Sequence, residues 1–256
     1  MNAGLNVVWR FVRGAPLTYL WLAVLLITTV IQHHLSRHQL HTLLVHRSTN
    51  IHHLSTDPLY VLFASLFWID GGKWIPCLVL FSLFVAPVER WLGQIRWLAV
   101  GLTAHVVATY ISEGLLYLAI ERHLQPERMV YVRDVGVSYF MVGVMAVLTY
   151  RIAAPWRWGY LAVLVVYYGA GLVANPNFTS IGHCVAIAVG LCFCPLAGAA
   201  TMRGRRRRRL TTPSSIRGMY APDSCLDYLT EATRGTRSSR MRRERSAVRR
   251  GMESWL

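Results

Sequence analysis

Two residues of types that perform nucleophilic chemistry, Ser138 and His183, stand near the starts of separate apolar runs. Ser138 lies in RDVGVSYF, directly before MVGVMAVL, and His183 lies in SIGHCVAIAVG. A serine hydroxyl becomes a nucleophile when a base within hydrogen-bond reach accepts its proton, and histidine is the commonest base. The alternative is structural, because a serine or histidine inside a membrane helix also bonds nearby backbone carbonyls.

The elements that must position these residues are predicted to be membrane-spanning helices. Long windows such as LTYLWLAVLLITTVI (17–31) contain no charged residue, which is typical of a span. The apolar runs predict six spans, at 16–32, 74–92, 97–116, 135–152, 158–174 and 180–199. A seventh run, 58–68, is too short to cross, and we expect it to lie at the interface within the first external loop. The sequence therefore predicts an all-α membrane domain over residues 1–200.

Positive charge predicts the orientation of these spans. With six spans, the arginines before the first span, between the second and third, between the fourth and fifth, and after the sixth all fall on one face. Positive residues concentrate on the cytoplasmic face, so both termini are expected in the cytoplasm. The Ser138 and His183 runs then both enter the membrane from the outer face, and Ser138 lies about 6 Å along its helix.

The C-terminal segment, residues 201–256, differs in composition from the rest of the chain. Residues 203–256 hold fifteen arginines against five acidic residues, with few large apolar side chains, which predicts a disordered, cytoplasmic, basic tail. We expect it to bind anionic lipid headgroups. Nucleic acid is the alternative partner, and it is disfavoured because the tail lacks the interleaved aromatic residues of a stacking surface.

Small residues surround both candidate catalytic residues and predict close helix packing. They are Gly136 and Gly143 beside Ser138, and Gly182, Ala186 and Gly190 around His183. Ala186 and Gly190 follow His183 by three and seven residues, so they share its side of the helix. Two such helices are expected to approach closely enough for a Ser–His pair.

These motifs, taken in order, resemble those of the rhomboid intramembrane serine proteases. GVSY before an apolar helix is similar to their Gly-x-Ser-Gly motif, and HCVAIAVG is similar to their sixth helix. PVERWLGQIRWL (87–98) resembles the segment that joins their second and third helices, with Glu, then Gly four residues on, then Arg three further. LFWIDGG (66–72) resembles the hairpin of their first external loop. The resemblance covers residues 16 to about 200.

The resemblance implies an endopeptidase that cuts single-span membrane proteins near the outer face of a bacterial plasma membrane. It implies Ser138 as nucleophile and His183 as general base, with no third carboxylate. We expect no cofactor. Gly136 and Tyr139 would occupy oxyanion or positioning sites. Tyr139 stands where the motif has glycine, and we expect it to crowd the backbone beside the nucleophile.

The second predicted helix departs from the family pattern. It reads GGKWIPCLVLF and contains no His-x-x-x-Asn to hold an oxyanion. Asn50, His52 and His53 in the first external loop could substitute, or the chain could be a catalytically inactive relative that binds client transmembrane helices. The histidines of this loop could hold a metal only if helical spacing aligned them, and we expect no metal site. His105 and Glu113, in the third span, are expected to serve packing, with His105 donating to a backbone carbonyl.

Overall fold

The computed structural model describes residues 3–200, and within that range every regular element is helical. The helices are α1 (Ala3–Gly14), α2 (Pro16–His34), α3 (Arg37–His46), α4 (Ile51–Thr56), α5 (Pro58–Ala64), α6 (Trp74–Leu80), α7 (Ala86–Leu92), α8 (Gln94–Glu121), α9 (Val137–Leu148), α10 (Trp156–Ala174) and α11 (Phe178–Cys192). A π-helical turn, Phe81–Val85, joins α6 to α7 as one continuous rod. The predicted tail and its disorder lie outside the described residues.

Four helices are long and apolar enough to cross a membrane by length and composition. They are Pro16–His34, Trp74–Leu92, Gln94–Glu121 and Trp156–Ala174, and a bent pair, Phe178–Cys192 with Cys194–Ala200, would make a fifth. The run expected as the fourth span forms only the 12 residues of α9, or about 18 Å against a hydrocarbon core of about 30 Å. Length therefore supports four or five of the six predicted spans.

Helix α9 is short because it lies inside the bundle rather than against lipid. Eleven of its residues are buried, and its main neighbours are α8 and α11. The ring of Phe140 packs against Trp21 of α2 and Trp97 of α8, with centroids 4.5 and 5.1 Å apart. A helix enclosed by protein can be shorter than the bilayer, since its flanking backbone also meets protein groups.

The segment 87–98 forms the joint between the second and third long helices. The Glu89 side chain is buried and accepts hydrogen bonds from the N–H groups of Leu17 and Thr18, at 3.0 and 2.8 Å, and from Thr18 Oγ1. It therefore caps the otherwise uncapped start of α2. Gly93, with φ of +83°, then turns the chain from α7 into α8, a conformation that favours glycine.

Candidate active site

Ser138 is the only residue of α9 that is not buried. It occupies the second position of the helix, directly after Val137, and its side chain is partly accessible. No side chain caps this helix start, so the N–H groups of its first turn have no partner within the helix. The entrance of α9 thus combines an accessible hydroxyl with backbone donors in a bundle that is otherwise closed around the helix.

Helices α9 and α11 run parallel and in backbone contact. A Cβ atom added to Gly182 would clash with the Tyr139 ring, and one added to Gly190 would clash with the Gly143 carbonyl oxygen. The contacts run from Tyr139 to Gly143 on α9 and from Gly182 to Gly190 on α11. Because residue numbers increase together on both helices, the two helices point in the same direction. The glycine stripe predicted beside His183 is therefore a packing surface, and Ser138 and His183 lie at neighbouring levels of parallel helices.

His183 contacts two tyrosine rings. Its centroid is 5.2 Å from that of Tyr139 on α9, at an interplanar angle of 70°, and 5.0 Å from that of Tyr168 on α10. Within residues 3–200, no hydrogen bond joins His183 to Ser138. The imidazole is held by ring packing, and catalytic hydrogen bonds often tighten only when substrate binds.

The side chain of Tyr139 lies in the protein core, fully buried against Gly182. Its hydroxyl donates to Asp134 Oδ1 over 3.2 Å. Only its backbone therefore stands beside the nucleophile. Position 136 also has no room for a side chain, because any Cβ on Gly136 would clash with the imidazole of His105.

Asp134, which precedes α9 by three residues, is buried and anchored through its backbone. Its N–H donates to Ser48 Oγ, its carbonyl oxygen accepts from that hydroxyl at 2.9 Å, and the Thr49 N–H donates to the same oxygen at 3.1 Å. Burial raises the pKa of Asp134 to about 7, against a hydrogen bond from Tyr139 that lowers it. The sequence marks Asp134 only as a charge at a helix entrance, and nothing in it identifies Ser48 or Tyr168.

The substitute oxyanion donors considered from the sequence have other partners. Asn50 is buried, where its Oδ1 accepts from the His53 N–H at 2.9 Å as the cap of α4 and its Nδ2 donates to the Val45 carbonyl. The His53 ring packs against His46 and His52, with centroids 5.6 and 5.3 Å apart. Burial, followed by the charges of these two histidines, lowers the pKa of His53.

His105 and Glu113 of α8 lie buried near the same end of the bundle. His105 Nε2 donates to the Leu62 carbonyl at 2.9 Å, as predicted. Both carboxyl oxygens of Glu113 are buried and make no hydrogen bond within the described part of the chain. In that same part, no group of three His, Cys, Asp or Glu side chains is placed to hold a metal ion.

Comparison with known proteins gives one match. Residues 10–203 match the model of a family described as rhomboid-like protein, which is most of the chain. No curated protein and no solved structure matches. The resemblance drawn from the motifs is confirmed at the level of the family.

Proposed function

The chain belongs to the rhomboid-like protein family, and on that premise we propose that it is an intramembrane serine endopeptidase. It would cleave membrane-spanning substrates near the outer face through Ser138 and His183. The observation that carries the proposal is the exposure of Ser138, alone among the residues of α9, at the level of His183. A serine that served only helix packing would be buried like its neighbours.

The proposed topology has six spans in a bacterial plasma membrane, with both termini in the cytoplasm. Helix α9 would be the fourth span, extended at both ends by non-helical backbone. Its neighbours support this arrangement, because α11 runs parallel to it and α8 antiparallel: Gly101 meets Phe140, whereas His105 meets Gly136. Short or irregular spans are stable where other helices enclose them.

In the proposed reaction, Ser138 Oγ attacks the scissile carbonyl carbon while His183 accepts the hydroxyl proton. The tetrahedral intermediate then breaks the C–N bond, and His183 donates its proton to the leaving amine. Water next attacks the acyl ester on Ser138, giving a proton to His183, which returns it to Ser138 Oγ as the acid product leaves. The uncapped N–H groups of Ser138 and Tyr139 are candidate donors to the oxyanion.

A second candidate function is a catalytically inactive relative that binds client transmembrane helices. Two observations favour it. The described residues show no hydrogen bond between Ser138 and His183, and the second long helix lacks the side-chain donors of the family pattern. Losing one oxyanion donor costs about 10²–10³-fold in rate.

A fluorophosphonate probe on the purified, detergent-solubilised protein separates the two candidates. We expect labelling at Ser138 that disappears in Ser138→Ala and falls sharply in His183→Ala, because the hydroxyl loses its proton acceptor. Ser180→Ala is the matched control, since Ser180 is also partly exposed near the start of α11 and should leave labelling unchanged. A folded wild type without labelling would favour the inactive relative, and equal labelling of wild type and His183→Ala would reject the dyad.

A further inference from the structure

Tyr139 connects the candidate general base to a buried acid. One side of its ring meets His183, with centroids 5.2 Å apart, and its hydroxyl donates to Asp134 Oδ1 at 3.2 Å. The residue is fully buried, so no water competes for the phenol. The rotation of this ring is therefore limited by the Asp134 carboxyl at one end and by packing along its length.

The backbone of Asp134 is held by hydrogen bonds that do not involve Tyr139. Ser48 and Thr49, both fully buried, hold its backbone N–H and carbonyl oxygen. These two residues belong to the first external loop, more than 80 positions earlier in the chain. These bonds hold the Asp134 backbone, and the Val135 N–H and the Thr49 side chain also bond its carboxyl. The carboxyl is therefore a fixed acceptor for the Tyr139 hydroxyl.

Within residues 3–200, the carboxyl of Asp134 forms no salt bridge. The adjacent cation, Arg133, pairs with Asp70 at 3.5 Å instead. Asp134 Oδ2 is buried without a hydrogen-bond partner in residues 3–200, and Glu113 of α8 is the acidic neighbour that interacts with Asp134 unfavourably. Burying a carboxyl with one oxygen unpartnered is costly, which favours a function for the bond that its other oxygen accepts from Tyr139.

We propose that Asp134 is a positioning residue that acts through Tyr139 to hold the imidazole of His183 at the level of Ser138. The hydrogen bond fixes the phenol ring, the phenol ring packs against the imidazole, and Tyr168 of α10 makes a second ring contact with it at 5.0 Å. Gly182 makes the arrangement sterically feasible, because any Cβ there would clash with Tyr139. This inference rests on the proposed function, because it takes His183 to be the general base.

The test compares three substitutions by the rate and the concentration dependence of fluorophosphonate labelling. Tyr139→Phe removes only the hydroxyl, Asp134→Ala removes the acceptor, and Asp134→Asn keeps an acceptor oxygen. We expect the limiting labelling rate to fall about tenfold in the first two, the size of one net hydrogen bond, with probe affinity unchanged. Asp134→Asn should keep most of the rate. Equal losses in Asp134→Asn and Asp134→Ala would overturn the role given to the hydrogen bond.

Tyr160→Phe is the matched control. Tyr160 of α10 is a partly buried tyrosine, and its hydroxyl donates to the Met145 carbonyl of α9 at 2.9 Å. Among the described residues its ring contacts Phe84, and it makes no ring contact with His183. A structural loss alone would affect both tyrosine variants similarly. Equal labelling rates in Tyr139→Phe and Tyr160→Phe would overturn the proposal.

A spectroscopic measurement keeps this inference separate from the proposed function. Protein labelled with ¹³C at histidine Cε1 gives a His183 resonance that the His183→Ala spectrum identifies by difference. We expect Tyr139→Phe and Asp134→Ala to shift or broaden that resonance, and Tyr160→Phe to leave it in place. If this occurs in a protein that the probe does not label, the positioning holds and the protease proposal fails. An unmoved resonance in Tyr139→Phe would overturn the positioning.

Discussion

Asp134 combines deep burial with an incomplete set of hydrogen bonds, so its proton equilibrium is tied to folding. Burial raises the pKa of its carboxyl from 3.8 to about 7. The folded protein therefore keeps this proton up to about pH 7, whereas the unfolded chain releases it near pH 4. Stability from this group is then greatest at low pH and falls as pH rises from about 4 to about 7.

Asp134→Asn should remove that part of the pH dependence. Between pH 5 and pH 8 we expect the wild type to lose on the order of 2 kcal/mol more than the variant, from about 1.36 kcal/mol per pKa unit. Thermal unfolding of the detergent-solubilised proteins at the two pH values measures the difference. The expectation fails if both proteins show the same change in melting temperature.

Ser138 and Tyr139 are adjacent in the chain, yet they have opposite environments. Ser138 is partly exposed at the start of α9, whereas the Tyr139 side chain is enclosed by α11 and the loop before α9. Successive helical positions differ by about 100° around the axis, so a glycine at position 139 is not required for an accessible nucleophile. The departure from the family motif is accommodated by Gly182.

The close contact between α9 and α11 requires space that only glycine leaves, because glycine has no Cβ atom. A Cβ at Gly190 would clash with the backbone oxygen of Gly143 and with the Ala146 side chain. Backbone cannot move aside as a flexible side chain can. The two helices would have to separate, and the levels of Ser138 and His183 would separate with them.

Gly190→Ala should therefore destabilise the protein by about 1–3 kcal/mol, the usual range for overpacking, and lower Ser138 labelling. Gly169→Ala on α10 is the matched control, because a Cβ there meets nothing within 4 Å; its melting temperature should be equal or slightly higher, since alanine favours helix. Melting temperatures and labelling rates measured side by side decide the matter. Equal behaviour of the two variants would contradict the described packing.

Helix α10 contributes little to the core, in contrast to α9. Only Arg157 and Leu164 of its 19 residues are buried, and large apolar side chains such as Val163 and Val173 are exposed. In a membrane protein such a surface faces lipid tails. The same contrast explains why α10 is long enough to cross the bilayer by itself and α9 is not.

The proposed topology, with six spans and both termini in the cytoplasm, makes a prediction for the whole molecule. Single cysteines replacing Arg128 and Asn175, in a background without native cysteines, should react with a membrane-impermeant maleimide added outside intact cells. A cysteine replacing Arg151 or Arg205 should react only after permeabilisation. Finding positions 175 and 205 on the same side would reject the six-span topology and the shared depth of the candidate pair.

The basic segment after residue 200 predicts an electrostatic membrane contact. A peptide of residues 201–256 should bind vesicles containing anionic lipid and release as salt is raised, because each arginine near the surface adds about 1 kcal/mol and salt screens it. Vesicle sedimentation at two salt concentrations measures this, with neutral vesicles as the control. Equal binding to neutral and anionic vesicles would disprove the electrostatic contact.

Most of the helices and the family can be predicted from the amino-acid sequence. Five of the six apolar runs recur as helices of spanning length or as the bent pair after Phe178, and the motifs in order identify the rhomboid-like family. Apolar run length and motif spacing are local properties, and the bilayer selects them directly as a solvent. The small residues after His183 are also a local pattern, and they predicted the close packing of their helix, α11.

The surroundings of Ser138 and His183 could not be predicted from the sequence, because they depend on tertiary contacts. No periodicity reveals that Tyr139 and Tyr168 meet His183, or that Ser48, between α3 and α4, anchors Asp134. The shortness of α9 likewise depends on its being enclosed by α8 and α11. These features arise from contacts between residues far apart in the chain, whose energies depend on how whole helices pack rather than on any one segment.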